Sequence, residues 1–197
     1  MEMLSQEVLV NNFLNYRRFL DALIGKPLSD KLIENVGGEE SLMRASFGMQ
    51  DDSGTAFEGS LVMCSLEIAE YAKKINETFN FGISNASIYK VALLSHIAKA
   101  LMYVKNTNEW EVQKRGFLYK FNNSLNGSMR CGERSVYISM QADIKFTEEE
   151  FEAMRVVDKI NEGDGEIRWY GTPLSMVIRQ ANEIVNILKK KLKIRIN

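Results

Sequence analysis

Residues 58–79, EGSLVMCSLEIAEYAKKINETF, decide the fold class of this chain. Leu61, Cys64, Ile68, Tyr71, Ala72, Ile75 and Phe79 recur at spacings of three and four, which puts them on one face of an α-helix. No proline or internal glycine interrupts the run after Gly59. The next stretch repeats the pattern. Between Ser84 and Tyr103, the residues Ile88, Val91, Ala92, Ser95, Ala98, Leu101 and Met102 form a second stripe at helical spacing. Two adjacent amphipathic helices predict an all-α bundle.

The flanks extend that reading. Residues from about Gln6 to Ile24 carry Val10, Phe13, Leu14, Leu20, Leu23 and Ile24, and Gly25 and Pro27 end the pattern. A short helix is expected from Ser29 to Val36, stopped by Gly37 and Gly38. SFGMQDDSGTAFEGS, residues 46–60, is polar and rich in glycine, so it reads as a loop. WEVQKRGFLYKFN, residues 110–122, gathers β-forming residues around Arg115-Gly116 and predicts a small hairpin. Helix resumes from Gly132 to about Met140. Thr147, with Glu150 three residues on, is a capping box for a helix running to about Ile160, broken by Gly163-Asp164-Gly165. Thr172 caps the last helix and Pro173 opens it. That helix continues through Val177, Ala181, Ile184, Val185 and Leu188 into a basic end.

The totals set limits. A chain of 197 residues makes one domain. Within it we expect a helical extension over 1–50, a core over 51–190 and a basic tail over 189–197. A net charge of −1 argues against a general nucleic-acid binder. Two cysteines, Cys64 and Cys131, do not make a disulfide framework, which points to a reducing compartment. The N-terminal residues lack the pattern of a secretory signal, and no segment approaches the roughly 20 apolar residues of a membrane span. A cytoplasmic protein without membrane contact is the expectation.

Four stretches, taken in order, resemble the HD-domain phosphohydrolases, particularly the small proteins of that family carried by tailed bacteriophages. FEGSLVMCSLEIAEYA (57–72) resembles the family segment EGGLLEHSLNV, and VALLSHIAKALMYVKNTNEW (91–110) resembles VALLHDICK followed by a hairpin. RCGERSVYISMQADIKFTEEEFEAMRV (130–156) is similar to HGEKSVYLIQRFIKLTEEEALAIRW. PLSMVIRQANEIVNIL (173–188) resembles a helix that ordinarily carries an aspartate. The resemblance implies an HD-domain-like helical bundle with a small β-hairpin insertion. It also implies a divalent metal held by His, a His-Asp doublet and a distant Asp, which activates water against a phosphate ester.

Carried over position by position, those ligands fall on Cys64, Ser95, His96 and Asn182. Auxiliary histidines fall near Gly54, on Cys131 and near Val157. The single histidine of the chain, His96, stands where the family has its aspartate. A hard divalent ion wants carboxylate and imidazole ligands, and both carboxylates are gone. The expectation is therefore no metal, no cofactor and no hydrolysis. A soft zinc site of Cys64, His96 and Cys131 would suit zinc chemistry, but its spacing matches no compact zinc motif. Asp51-Asp52 lacks a third ligand, and Gly132-Glu133-Arg134-Ser135 reads first as a helix cap.

Three readings of function follow. In the first, the chain is a structural or assembly subunit, of a phage virion or tail, in the host cytoplasm and then the virion. It has protein partners in a larger homo- or hetero-assembly. Contacts are then expected at Trp169, at the N-terminal helix and at the basic run Lys189, Lys190, Lys191, Lys193 and Arg195. Nucleic acid would be met only through that tail. In the second, a pseudoenzyme binds a nucleotide or phosphate in the old pocket, with charge from Arg130, Arg134 and Arg155. A divergent hydrolase with relocated ligands is the third reading.

Overall fold

The architecture is built around one helix, α4 (Ser60–Phe79), in the computed structural model, which describes residues 4–125, 127–157 and 171–196, with side chains through 192. Its face Leu61, Cys64, Ile68 and Ala72 is fully buried, as the spacing predicts. At about 1.5–3 kcal/mol for each large aliphatic side chain buried, such a stripe holds a helix that propensity alone would not. Phe79 departs from the expectation. It is two-thirds exposed because α4 outruns its neighbours, and it rests on Phe81 with ring centroids 5.9 Å apart. Asn80 ends the helix in the left-handed conformation, at φ 53°. One turn earlier, the Asn76 amide gives a hydrogen bond to Ile83 O and takes one from Ile83 N, closing the turn into the next helix.

Around α4 pack α5 (Asn85–Leu94) and α10 (Pro173–Ile196), and α9 (Glu148–Val156) lies against both. The α1 helix (Gln6–Ile24) inserts Leu9, Phe13, Tyr16 and Leu20 into the same core, so it is continuous with the bundle. Next come α2 (Lys26–Asn35) and α3 (Gly38–Arg44), the latter absent from the sequence expectation. The α8 helix (Cys131–Gln141) packs on α9. There Gly132 lets the backbones meet, since a Cβ at that position would lie 2.2 Å from Met154 O. The capping box at Thr147 and Glu150 is formed, and Ser175 N donates to Thr172 Oγ1 at the start of α10. All of this is an all-α fold.

Two differences from the sequence expectation matter. The second stripe is not one helix. It breaks after Leu94 and resumes as the single turn α6 (Lys99–Met102), with His96 in the break. The hairpin exists, but its strands are β1 (Tyr103–Lys105) and β2 (Tyr119–Phe121), with Tyr103 opposite Phe121. Between them, residues 109–115 form the helix α7 (Glu109–Arg115). The Asn108 side chain caps it by accepting from Trp110 N and Glu111 N, and Gly116 stops it at φ 66°. Among the described residues, no helix is long and apolar enough to cross a membrane.

Candidate functional site

The break after α5 has a traceable cause. Ile97 N turns to Leu94 O instead of reaching back four residues, a local 3-10 tightening. The Tyr16 hydroxyl, arriving from α1, donates to Leu93 O at 2.7 Å in the buried interior. On the other side of the break, Ala98 N donates to Ser135 Oγ of α8 at 3.1 Å. Tertiary partners thus take over backbone groups that a continuous helix would pair.

Ser95 and His96 sit in this turn, both buried. Ser95 Oγ lies 3.1 Å from His96 Nδ1, and the imidazole packs on Phe47, ring centroids 4.7 Å apart. Burial, with the nearby Lys99 ammonium, holds the imidazole pKa well below its ordinary value, so His96 is neutral at pH 7.

One turn on, Lys99 is 8% exposed, and its Nζ stands 3.6 Å from the centroid of the Phe47 ring. That is a close cation–π contact. Among the described residues, no carboxylate makes an ion pair with Lys99. A buried ammonium without a counter-ion is unusual, because charges are buried at high cost unless paired.

Lys99 and His96 open into a cavity of about 470 Å³. One wall is the loop 46–60, contributing Phe47, Gly48 and Thr55; the other is α10, contributing Arg179, Asn182, Glu183 and Asn186. Val157 also lines it. The loop wall is fixed by hydrogen bonds: Phe47 N donates to Ser60 Oγ at 2.8 Å, and Gly48 N to Thr55 O at 3.1 Å. It meets α10 at Gly54, where a Cβ would lie 2.5 Å from Lys189 O and the backbone has φ 68°. Asn182 Oδ1 is buried with no hydrogen-bond partner among the described residues. Arg179 Nε pairs with Glu183 at 3.3 Å, so the one carboxylate among the described residues lining the cavity is already matched. Among the described lining residues, Lys99 leaves a net positive charge.

Of the residues singled out from sequence, His96, Asn182 and Val157 share this cavity, and Thr55 brings Gly54 beside it. Cys64 is buried in α4, and its thiol pKa is pushed up to about 12, chiefly by burial, with Glu67 adding and Lys189 and Lys99 opposing. Cys131 is buried at the start of α8. Arg130, Arg134 and Arg155 do not line the cavity; Arg134 is buried in α8 and Arg155 is exposed on α9. Gly132–Ser135 acts at the helix start, where Arg130 N donates to Glu133 Oε2 at 3.1 Å. Lys189 pairs with Glu67, while Lys190 and Lys191 are exposed. Trp169, the side chains of Lys193 and Arg195, and the helix end expected near Ile160 lie outside the described residues. Lys99 was not singled out from sequence. Its signal was its spacing: four residues after Ser95, it falls on the buried stripe, where a lysine has no structural reason to be.

The metal implied by the resemblance does not fit the side chains present. Cys64 keeps its proton, Ser95 is engaged with His96, Asn182 is a neutral amide, and the nearest cation is Lys99. Among the described residues, no three His, Cys, Asp or Glu side chains converge on a point that could hold an ion. No protein-family model matches the chain, and neither a curated protein nor a solved structure is significantly similar to it.

Proposed function

We propose that this chain is a non-catalytic HD-like helical domain that binds a small anion of the phosphate class in the cavity between loop 46–60 and α10. The observation that carries the reading is Lys99: a buried ammonium, unpaired with any described carboxylate, at the wall of a cavity. An anionic group about 4 Å from it gains roughly 4 kcal/mol at an effective dielectric of 20, against about 1 kcal/mol at an exposed lysine. That difference favours Lys99 over the exposed Lys190 and Lys191. The cavity lies within the roughly 300–1,000 Å³ of small-molecule sites, large enough for a nucleoside monophosphate. Asn182 Oδ1 offers an acceptor for an NH or OH group of the same ligand.

The HD-like part of the reading is supported by placement. His96, Asn182, Val157 and the Gly54–Thr55 region, distant in sequence, are the positions the resemblance marks, and they meet at one cavity. The phage context rests on the sequence resemblance. The non-catalytic part is supported by the described side chains, no three of which converge as a metal-ligand set.

The test is calorimetric titration of the full chain with inorganic phosphate and with a nucleoside monophosphate, in the presence of a chelator. Saturable binding is expected, weakened at least tenfold in Lys99→Met and unchanged in Arg155→Met, with no phosphate released. Equal affinity in Lys99→Met would refute the site. Turnover of the ester would refute its non-catalytic character.

A second reading, the assembly subunit, is favoured by a separate observation. Tyr137, Met140 and Phe151 on α8 and α9, and Leu188 and Leu192 on α10, are all exposed.

A further inference from the structure

A charge buried without a counter-ion needs something else to hold it. At Lys99 the partner is aromatic. Its Nζ stands 3.6 Å from the centroid of the Phe47 ring and 5.9 Å from that of Tyr103, and no carboxylate among the described residues pairs with it. A carboxylate in that place would cancel the charge and occupy the N–H groups of the ammonium. An aromatic face attracts a cation through its quadrupole, which carries no net charge. The whole positive charge therefore remains available to a ligand.

The ring and the ammonium are held to one frame. Phe47 is 4% exposed, and its backbone N donates to Ser60 Oγ at 2.8 Å. Two residues on, the loop joins the β-hairpin: Tyr119 N of β2 donates to Met49 O at 3.1 Å, and Asp51 N to Gly116 O at 2.7 Å. Lys99 reaches the same hairpin from the other side, because α6 runs straight into β1. Asn122 closes that junction, its N donating to Met102 O at 2.8 Å and its side-chain amide to Leu101 O at 3.1 Å. Since β1 pairs with β2, the hairpin fixes the spacing between the two partners. Phe47 and Lys99 also both line the cavity, so a ligand meets the ammonium where the ring already holds it. A free lysine side chain is spread over many rotamers, and ordering it on binding would cost affinity.

We infer that Phe47 is a positioning residue of the cavity: its ring face holds the Lys99 ammonium at the cavity wall in place of a counter-ion, and the strength of that contact sets the affinity for an anion. Phe47 has this role only if the cavity binds an anion, as proposed above. The ammonium then stays on the ring when the anion arrives, and apolar bulk without a π face does not replace Phe47.

The test varies the electrons of the ring and leaves its shape. The full chain is made with Phe47 replaced in turn by phenylalanine carrying one, two and three ring fluorines. Each protein is titrated calorimetrically with inorganic phosphate, a chelator present. Fluorine draws electron density from the ring face and weakens its hold on a cation at each step. Phosphate affinity is expected to fall at each step, by about threefold to thirtyfold over the series, the range that cation–π contacts span from exposed to desolvated sites. Phe47→Leu is expected to lose at least as much as the ring with three fluorines. The far-ultraviolet circular dichroism of the fluorinated proteins is expected to match the wild type, so that lost binding is not lost fold. A flat series, a rise in affinity with fluorine, or a Phe47→Leu variant that binds like the wild type overturns the role of Phe47, while binding by the wild type leaves the anion cavity standing. A wild type that does not bind phosphate overturns both.

Discussion

Replacing Tyr16 by Phe removes one hydroxyl and tests how the α5 break is held. The phenol donates to Leu93 O in the interior, and Ile97 N, the amide that would serve that carbonyl in a continuous helix, is turned to Leu94 O. Phe leaves the ring in place, so the loss is confined to one buried hydrogen bond. A buried acceptor left unpaired costs about 1–3 kcal/mol, and a structure free to relax at the break sits in the lower half of that range. We expect about 1–2 kcal/mol by urea denaturation. At roughly 2–4 °C per kcal/mol for a chain of this size, Tm falls by about 2–8 °C. The pH dependence adds a second readout. Burial raises the pKa of the Tyr16 phenol, so the folded state keeps its proton at pH values where the unfolded chain loses it. The stability it contributes is present below pH 10 and is lost as pH rises past that value. The gap between wild type and Tyr16→Phe should narrow in that range. A variant within about 0.3 kcal/mol of wild type, or a gap that widens with pH, would refute this account of the break.

Three further outcomes are expected. His96 is buried neutral, so its depressed pKa contributes stability above about pH 6.5 that is lost as pH falls, at up to about 1.4 kcal/mol per pH unit; His96→Gln flattens the acid limb of a pH–stability curve. Gly54→Ala combines a left-handed backbone, costing about 1–2 kcal/mol, with a Cβ driven into Lys189 O, and should destabilise by about 2–4 kcal/mol and weaken anion binding, measured by denaturation and calorimetry. Cys64 and Cys131 are buried and the Cys64 thiol keeps its proton, so a thiol reagent at pH 8 should label neither in the native protein and both after unfolding.

The helices were legible because their stripes are long and regular: Leu61, Cys64, Ile68 and Ala72 are buried where the spacing puts them. The break at Ser95 was not legible, because its causes are tertiary. The Tyr16 hydroxyl and Ser135 Oγ arrive from helices 77 and 37 residues away in sequence. The α7 helix was misread because Trp110 and Val112 favour strands, although Asn108 and Gly116 mark its ends. The cavity was half legible. The resemblance marked His96 and Asn182, but the arginines chosen for charge lie elsewhere, and Lys99 emerges only once α6 is seen to turn it toward Phe47. The loop 46–60 gives no period to read, and its position depends on Gly54 meeting α10 some 135 residues on.

The measurement closest to the central claim uses the only histidine in the chain. His96 lines the cavity beside Lys99, so its ring proton resonances report directly on occupancy. Phosphate is added at pH 7 with a chelator present, and the His96 signals are followed by NMR in wild type and in Lys99→Met. The account predicts a saturable shift in the wild type that is absent in the variant. A wild-type ring that ignores phosphate, or that responds only once a divalent metal is supplied in place of the chelator, would contradict it.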